Sequence, residues 1–540
     1  MTGSDMVNLP PMKGKQERSS TASLGIARAA GINSLGNVAS RLLGLVRESV
    51  IAGTFGASGA TSSFDAVSTV PKMVYELLIG GMLSAALIPV LSEYAVEERR
   101  AELEEILSLL LSLAGTLAIV IVVLLELAAP LIAPLLVGGF DAQLLRTATK
   151  LIRLIVPSIP IYVLSGILQA YHYARRRFVY PAMGAPAHNL GVIIAVLLFS
   201  RVLGIASLSI AIVLAALTQF LVQLPGLKGV RFSWTFHWRH PVVRRILQLY
   251  APVVLSIVVQ NIGIIIDRNL ASRTMSEAIT WMNKATFLIQ LPLGLVSIAI
   301  SLAVLPTLSQ IDARKELSRF KSTLSLGLRL VLVVIIPATA GLFALGKPII
   351  ELIFEHGEFT PMDTLQSWNA LRLYLLGLPF AAIDLPLVFA FYAQKDTLTP
   401  VIVGIVCVLL YLIVGPTLAF LAGWSFLGLV MANSVQLTSH ALLMLALFGR
   451  RFGGLQGYGV LRTALKAGVA SIGVGGLAYG SYVLLRPWVP AGFWGRVLLV
   501  GVGAGLGTLA YLFGARFLRI GEVTLLWAAV QRRLGRGQAI

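Results

Sequence analysis

Charge is scarce in this chain. Only 12% of its 540 residues are Asp, Glu, Lys or Arg, while 57% are hydrophobic and the mean hydropathy is +0.85. A soluble domain carries about 25% charged residues, so an ordinary water-facing surface is excluded. Cysteine is nearly absent. Cys407 is the single one and lies in an apolar run, which rules out a disulfide within the chain and suits an inert core thiol. Acidic residues number 24 against 43 basic ones, giving a net charge of +19. The basic residues are dispersed over short loops, so they are not a nucleic-acid footprint. No GxxxxGK[ST] stretch occurs, so ATP is not the direct driver of any work done here. His237 and His240 in FHWRH have loose metal-ligand spacing, but no Cys or carboxylate completes a set. That segment reads as a loop whose Trp and Arg meet lipid head groups.

What is present is a series of long apolar runs, which makes the chain an all-α polytopic membrane protein. Fourteen spans are predicted, at 24–55, 64–92, 104–128, 147–172, 179–200, 205–227, 244–271, 279–307, 321–346, 366–392, 399–421, 425–448, 462–485 and 494–515. The loops after even-numbered spans are basic, as in Arg99-Arg100, Arg175-Arg176-Arg177 and Arg450-Arg451. Loops after odd-numbered spans hold few Lys or Arg, and FGASGATSS and FEHGEFTPMDT hold none. The positive-inside rule then places both termini in the cytoplasm. The N-terminus lacks a secretory signal pattern, and polar residues 1–22 read as a disordered cytoplasmic tail.

The chain also repeats itself. IPVLSEY (88–94) returns in form as LPTLSQI (305–311), with Pro89 and Pro306 standing 217 residues apart. Tyr173-Ala174 and Pro181 match Tyr392-Ala393 and Pro400 at a separation of 219. This predicts two six-helix repeats related by a pseudo-twofold axis along the membrane normal, followed by two further helices. The expected division is an N-lobe at 23–228, a C-lobe at 229–450, the last two helices at 451–518 and a cytoplasmic tail at 519–540.

Within the first span the stretch ASRLLGLVRESVIAGTFG carries three charges, Arg41, Arg47 and Glu48. Each costs roughly 2.5–3.5 kcal/mol at a bilayer centre. At 100° per residue Asn33, Asn37, Arg41, Gly44 and Glu48 share one stripe, with Ser40 and Arg47 on the neighbouring one. One side of this helix therefore faces the bundle interior or an aqueous cavity rather than lipid. Asp65, Lys72 and Glu76 in the second span add to that interior, as do Gln260, Asn261, Asp267 and Arg268 in the seventh and Asn283 and Lys284 in the eighth. Arg329, Arg372 and Asp384 follow in the ninth and tenth. Basic residues concentrate on corresponding spans of the two repeats, so a cationic cavity for an anionic substrate is expected at the repeat interface. Internal ion pairs are the plainer reading, Asp267 with Arg268 and Glu48 with Arg41 in particular. Glu48 alone does not neutralise both Arg41 and Arg47.

On these residues the sequence resembles the MurJ/MviN lipid II flippases of the MOP (multidrug, oligosaccharidyl-lipid, polysaccharide) exporter superfamily, as a divergent member. The resemblance covers about residues 24–515. It is carried by SRLLGLVRESVIAGTFGASGATSSFDAVSTVPK, GGMLSAALIPVLSEY, RFVYPAMGAPAHN, LPLGLVSIAISLAVLPTLSQ, LIFEHGEFTPMDT and FYAQKDTLTP, in that order. It implies transport of a polyprenyl-pyrophosphate-linked glycopeptide, lipid II, to the outer leaflet by alternating access, in a bacterial plasma membrane. By position, Ser40 and Arg41 match the family's Ser-Arg pair, Arg47 and Glu48 its Arg-acid pair, and Lys284 a cavity arginine. The family's last two helices form a groove for the lipid tail. Here they carry Gly476, Gly480, Gly501, Gly505 and Gly507, which read more simply as packing positions. The sequence departs from the pattern at Thr61-Ser62, where the family has Thr-Asp, and at PKMVYE, where Tyr75 and Glu76 replace arginines.

The expected substrate-contacting set is therefore Arg41, Arg47, Glu48, Lys284, Ser40, Asn37, Lys72 and Arg268, with no catalytic group and no cofactor. The membrane potential or an ion gradient supplies the driving force. Membrane lipids and cell-wall synthesis proteins are the expected partners. Two other transport readings stand beside this one, a paralogous flippase for another polyprenyl-linked glycan and a drug or cation antiporter. A membrane-embedded glycan polymerase would need carboxylates in a substantial outer loop, and Asp141, Glu355, Glu358 and Asp363 are the available ones.

Overall fold

The computed structural model describes residues 13–80, 82–490 and 492–535. Every regular element among the described residues is helical. In the N-terminal half these are α1 (Lys13–Phe55), α2 (Gly59–Val67), α3 (Thr69–Tyr75), α4 (Ile88–Tyr94), α5 (Arg100–Val137), α6 (Ala142–Ile155), α7 (Ser158–Ala174), α8 (Val179–Leu203) and α9 (Ala206–Leu221). The C-terminal half adds α10 (Pro241–Ser272), α11 (Ala278–Pro292), α12 (Ile298–Gln310), α13 (Leu317–Ile353), α14 (Pro361–Ala393), α15 (Leu398–Pro416), α16 (Phe426–Phe452), α17 (Val460–Leu485), α18 (Phe493–Phe517) and α19 (Gly521–Gly535).

Eleven helical stretches among the described residues are long and apolar enough to cross a membrane. Their outward side chains are aliphatic and aromatic, for example Leu127 at 75% exposure, Ile472 at 74% and Phe513 at 75%, as expected where lipid rather than water is the solvent. Helix ends are fixed locally. Ser58 caps α2 by accepting from the Thr61 N–H at 3.2 Å, and Asp141 caps α6 by accepting from the Leu144 N–H at 2.8 Å. Thr360 and Asp363 form a reciprocal capping box on α14, with Pro361 at the first helical position.

Two expectations about the ends of the chain change. The stretch read as a disordered tail over 1–22 enters α1 at Lys13, and residues 1–12 lie outside the described set. The segment read as a C-terminal tail contains α19, which packs on α13. Glu522 there is buried and pairs with Arg329 at 2.9 Å, so the Arg329 charge is neutralised within this packing.

Contacts divide the chain into two compact units, Met1–Val50 with Val70–Leu127 and Ile152–Ile257, and Ile51–Thr69 with Ala128–Leu151 and Val258–Ile540. The division does not follow chain order, as the expected lobes did. The first half of α10 is held in the first unit by Arg245, which grips Glu93 with two bonds of 2.7 and 2.8 Å. Tyr250 of the same half donates to the Leu77 carbonyl. In the second unit the segment around α2 is held by α11 and by the Glu358 N–H, which donates to the Gly53 carbonyl at 2.9 Å.

Backbone details recur at the spacing of the sequence matches. A π-helical turn at Glu76–Gly80 has a counterpart at Leu293–Ser297, 217 residues on. Arg176 and Lys395, 219 residues apart, both sit in the left-handed region with φ of 56° and 61°. Their N–H groups bond alike, to Tyr173 O and Tyr392 O.

Candidate functional site

In the first unit the polar side of α1 is organised by one residue of α8. Asn189 is 7% exposed, and its amide is bonded through both its nitrogen and its oxygen. Its Nδ2 donates to the Ser40 carbonyl at 2.9 Å and to the Ser40 hydroxyl at 3.3 Å. Its Oδ1 accepts from Arg47 Nη1 at 2.9 Å. This network fixes the amide orientation, because guanidinium offers only donors and a carbonyl only lone pairs. Arg47 Nη2 meets Glu48 Oε1 at 2.8 Å, with both side chains about a quarter exposed or less. The helices approach closely at Gly36, where any Cβ would lie 2.4 Å from the Ala182 carbonyl oxygen.

The structure thus brings Ser40, Arg47 and Glu48 together. The alternative pairing of Glu48 with Arg41 is corrected, since the carboxylate bonds Arg47, whose guanidinium is steered onto it by Asn189. Arg41 makes no hydrogen bond or ion pair among the described residues and is partly exposed. Lys72 and Asn37 are exposed and likewise have no such bond. Asn189 was not singled out from sequence, although it closes the quoted block RFVYPAMGAPAHN. No local periodicity marks it, because its partners lie 142 and 149 residues away.

The second unit holds the other two candidates separately. Lys284 on α11 is 1% exposed, with Nζ 5.5 Å from the centre of the Phe354 ring, within cation–π range. Arg268 on α10 donates from Nη2 to Asn283 Oδ1 at 2.6 Å, and its buried Nε has no partner. The expected Asp267–Arg268 pair is not formed. Asp267 instead accepts from the Tyr411 hydroxyl at 2.6 Å, because a shared backbone segment points adjacent side chains 100° apart.

Ser62, which stands where the resemblance leads one to expect an acid, is fully buried against Thr280 of α11. The Thr280 hydroxyl donates to Asp65 at 2.9 Å, so its single proton is used and Ser62 must donate to it, at 3.1 Å. Asp65, one turn on from Ser62, thus supplies a carboxylate to the same threonine. Two of the three acids of FEHGEFTPMD are also engaged, and Glu358 is exposed. Glu355 takes Arg496 at 2.9 Å, and Asp363 takes the Trp281 Nε1–H at 2.9 Å besides its capping role. Asp384 is bonded to His440 at 2.7 Å.

An apolar groove of about 500 Å³ runs along α13, α17, α18 and α19, lined by Val333, Gly341, Val474, Gly507, Tyr511 and Trp527 among others. Of the glycines expected to pack, only Gly507 does so, with its missing Cβ position 3.2 Å from Val474. Gly476, Gly480, Gly501 and Gly505 face open space, and Gly503, which was not singled out, takes part in the contact.

A bundle of membrane-length helices, with a guanidinium on α1 that makes no bond among the described residues, has the build of a transporter. Its fold is that of the MOP superfamily. An inward-facing multidrug resistance MATE family transporter of that superfamily superposes with a TM-score of 0.64 at 12% identity, over 77% of this chain and 95% of the other. A lipid II flippase MurJ solved in an inward closed conformation superposes with a TM-score of 0.74 at 25% identity, over 90% of this chain and 98% of the other. A family model described as "Lipid II flippase MurJ" matches residues 51–498, and the chain belongs to that family. Curated relatives include probable lipid II flippases MurJ from Vibrio cholerae and Thermotoga maritima. They are 28% and 27% identical, each over 91% of this chain and 96% of the relative.

Proposed function

We propose that this chain is a flippase that carries lipid II from the cytoplasmic to the outer leaflet of a bacterial plasma membrane by alternating access. Arg41 carries this reading. A guanidinium in an apolar helix without a protein partner is costly unless an anion or water occupies its fork. Arg47 is neutralised by Glu48 and held by Asn189, so it sets the geometry beside Arg41 and lends little net charge. In this mechanism Arg41 takes the pyrophosphate while the polyprenyl tail stays among apolar surfaces, for which the groove along α17 and α18 is suited. Lys72, Asn37 and Ser40 line the same polar side, whereas Lys284 and Arg268 take part only in states where α11 and α10 open.

The proposed topology has fourteen spans. The eleven apolar stretches are joined by α1, by the segment 59–94 and by α10. Two six-helix repeats are supported by the matching π-turns and left-handed residues at separations of 217 and 219. The basic loops support cytoplasmic termini. Moving a cationic site in a potential of 100 mV is worth about 2.3 kcal/mol per charge, so the potential is the proposed source of reset, without a cofactor. Cell-wall synthesis proteins are proposed partners, to be sought by co-purification.

The family match does not favour the other readings. An antiporter needs carboxylates open to a cation, whereas Asp65, Asp267 and Asp384 already accept hydrogen bonds.

The experiment is outer-leaflet exposure of lipid II in cells depleted of their own flippase and supplied with this chain. Wild type restores exposure, and Arg41→Ala at matched expression does not. Restoration by both variants rejects Arg41 as the ligand. Failure of well-inserted wild type rejects the substrate.

A further inference from the structure

A second cavity of about 400 Å³ lies in the first unit, on the same face of α1 as Arg41. Its polar lining is Asn33, Asn37, Gln169, Gln219 and Gln223, with the rings of Tyr75 and Tyr173. No Asp, Glu, Lys, Arg or His lines it. Asn33, Asn37 and Gln219 make no side-chain hydrogen bond among the described residues. Gln223 is 1% exposed, its Nε2 donates to Ser165 at 2.5 Å, and its Oε1 is buried without a partner. That oxygen is closed off from the cavity, so what the cavity offers a ligand is the amides of Asn33, Asn37 and Gln219, unbonded among the described residues. The volume falls within the roughly 300–1,000 Å³ of small-molecule sites.

The lining specifies the ligand. Amides present donor and acceptor side by side, which matches hydroxyl and acetamido groups. Tyrosine rings offer flat apolar faces with a polar edge, which suits the C–H face of a pyranose. An uncharged wall offers no counter-ion for phosphate or for the charged groups of a peptide. Asn37 lies one helical turn from Arg41, about 6 Å along the axis. A group joined to a pyrophosphate on Arg41 therefore reaches the cavity directly.

We propose that this cavity is a saccharide subsite that receives the sugar next to the pyrophosphate of the transported lipid, an inference that rests on the flippase reading above. Arg41 then recognises the anion common to all polyprenyl pyrophosphates, and the amide cavity distinguishes the glycosylated ones.

The test measures dissociation constants for the full chain in nanodiscs with three probes: polyprenyl pyrophosphate, the same lipid bearing the disaccharide, and the lipid bearing disaccharide and pentapeptide. The disaccharide is expected to tighten binding by roughly tenfold, the scale of one to two neutral hydrogen bonds, and the pentapeptide to add little. Gln219→Leu, and separately Gln169→Leu, remove most of that gain without weakening the bare lipid. Equal binding of bare and sugar-bearing lipid by wild type overturns the subsite, as does a gain that appears only with the pentapeptide. Both comparisons need no variant to fold. A folded Gln219→Leu that keeps the whole gain overturns it too. If wild type binds none of the three lipids, the flippase reading falls and takes the subsite with it.

Discussion

In the first unit the guanidinium of Arg47 is shared between Glu48 and Asn189, while Arg41, six residues earlier on α1, bonds to nothing among the described residues. In the second unit Asp65, Asp267, Asp363 and Asp384 each accept from another element, through a threonine, a tyrosine, a tryptophan and a histidine. The two regions carry charge on their helices with opposite results. Carboxylates in the second unit are occupied in joining helices, which resists rearrangement. The first unit fixes one cation and leaves its neighbour available to a ligand. Low polarity raises the cost of an unpaired group, so an unpaired arginine there points to a ligand site more strongly than one on a soluble surface.

The sharpest way to break this contrast is to compare Arg41→Ala with Arg47→Ala. Arg41→Ala is expected to reduce lipid II exposure more than tenfold and to change unfolding free energy by less than about 0.5 kcal/mol, since it removes no bond. Arg47→Ala is expected to lower thermal stability, because Glu48 and Asn189 lose a donor. Equal Tm losses in the two variants would erase the distinction between a structural and a ligand-binding arginine.

Asp363→Ala probes the second unit. It removes the α14 capping box and the Trp281 partner together, so a loss of about 2–4 kcal/mol is expected in thermal unfolding. A smaller change than that of Asn189→Ala would reverse the claim that carboxylates join helices here. Asn189→Ala should cost about 1–2 kcal/mol, by freeing one edge of Arg47 and the Ser40 carbonyl.

The smallest effect lies in the loop after α14. Burial pushes the Asp396 carboxyl up, but the Thr399 N–H and hydroxyl and the Arg451 guanidinium together outweigh it and hold the group below the ordinary aspartate range. A depressed native pKa adds stability above the unfolded value, which is lost as pH falls through the native one. Wild type should therefore lose stability relative to Asp396→Asn as pH drops below the ordinary aspartate range. Arg451 is about half exposed, so the difference at neutral pH should stay within about 1 kcal/mol. Parallel Tm curves for the two proteins from neutral to acid pH would remove this pair from the account.

Sequence reading located the polar side of α1 because helical periodicity alone puts Asn33, Asn37, Arg41 and Glu48 on one stripe. It did not find Asn189, whose role depends on α8 approaching α1 at Gly36, nor Gln219 and Gln223, whose amides matter only once α7, α8 and α9 enclose a cavity. It assigned Arg329 to an intramembrane interior, whereas α19 brings Glu522 to it. It paired Asp267 with its chain neighbour, whereas a hydroxyl from α15 is the nearer partner.

The scarcity of charge and the long apolar runs are local properties, and they determined that this is a polytopic helical membrane protein; the quoted motifs pointed to the family, and helical periodicity put cations on one side of α1. Which of those cations Glu48 neutralises was decided by tertiary structure. A hydrogen bond in an apolar medium depends on the position of its partner to within an ångström. Glu48 is the chain neighbour of Arg47, but Asn189, which steers that guanidinium onto it, lies 142 residues away on α8.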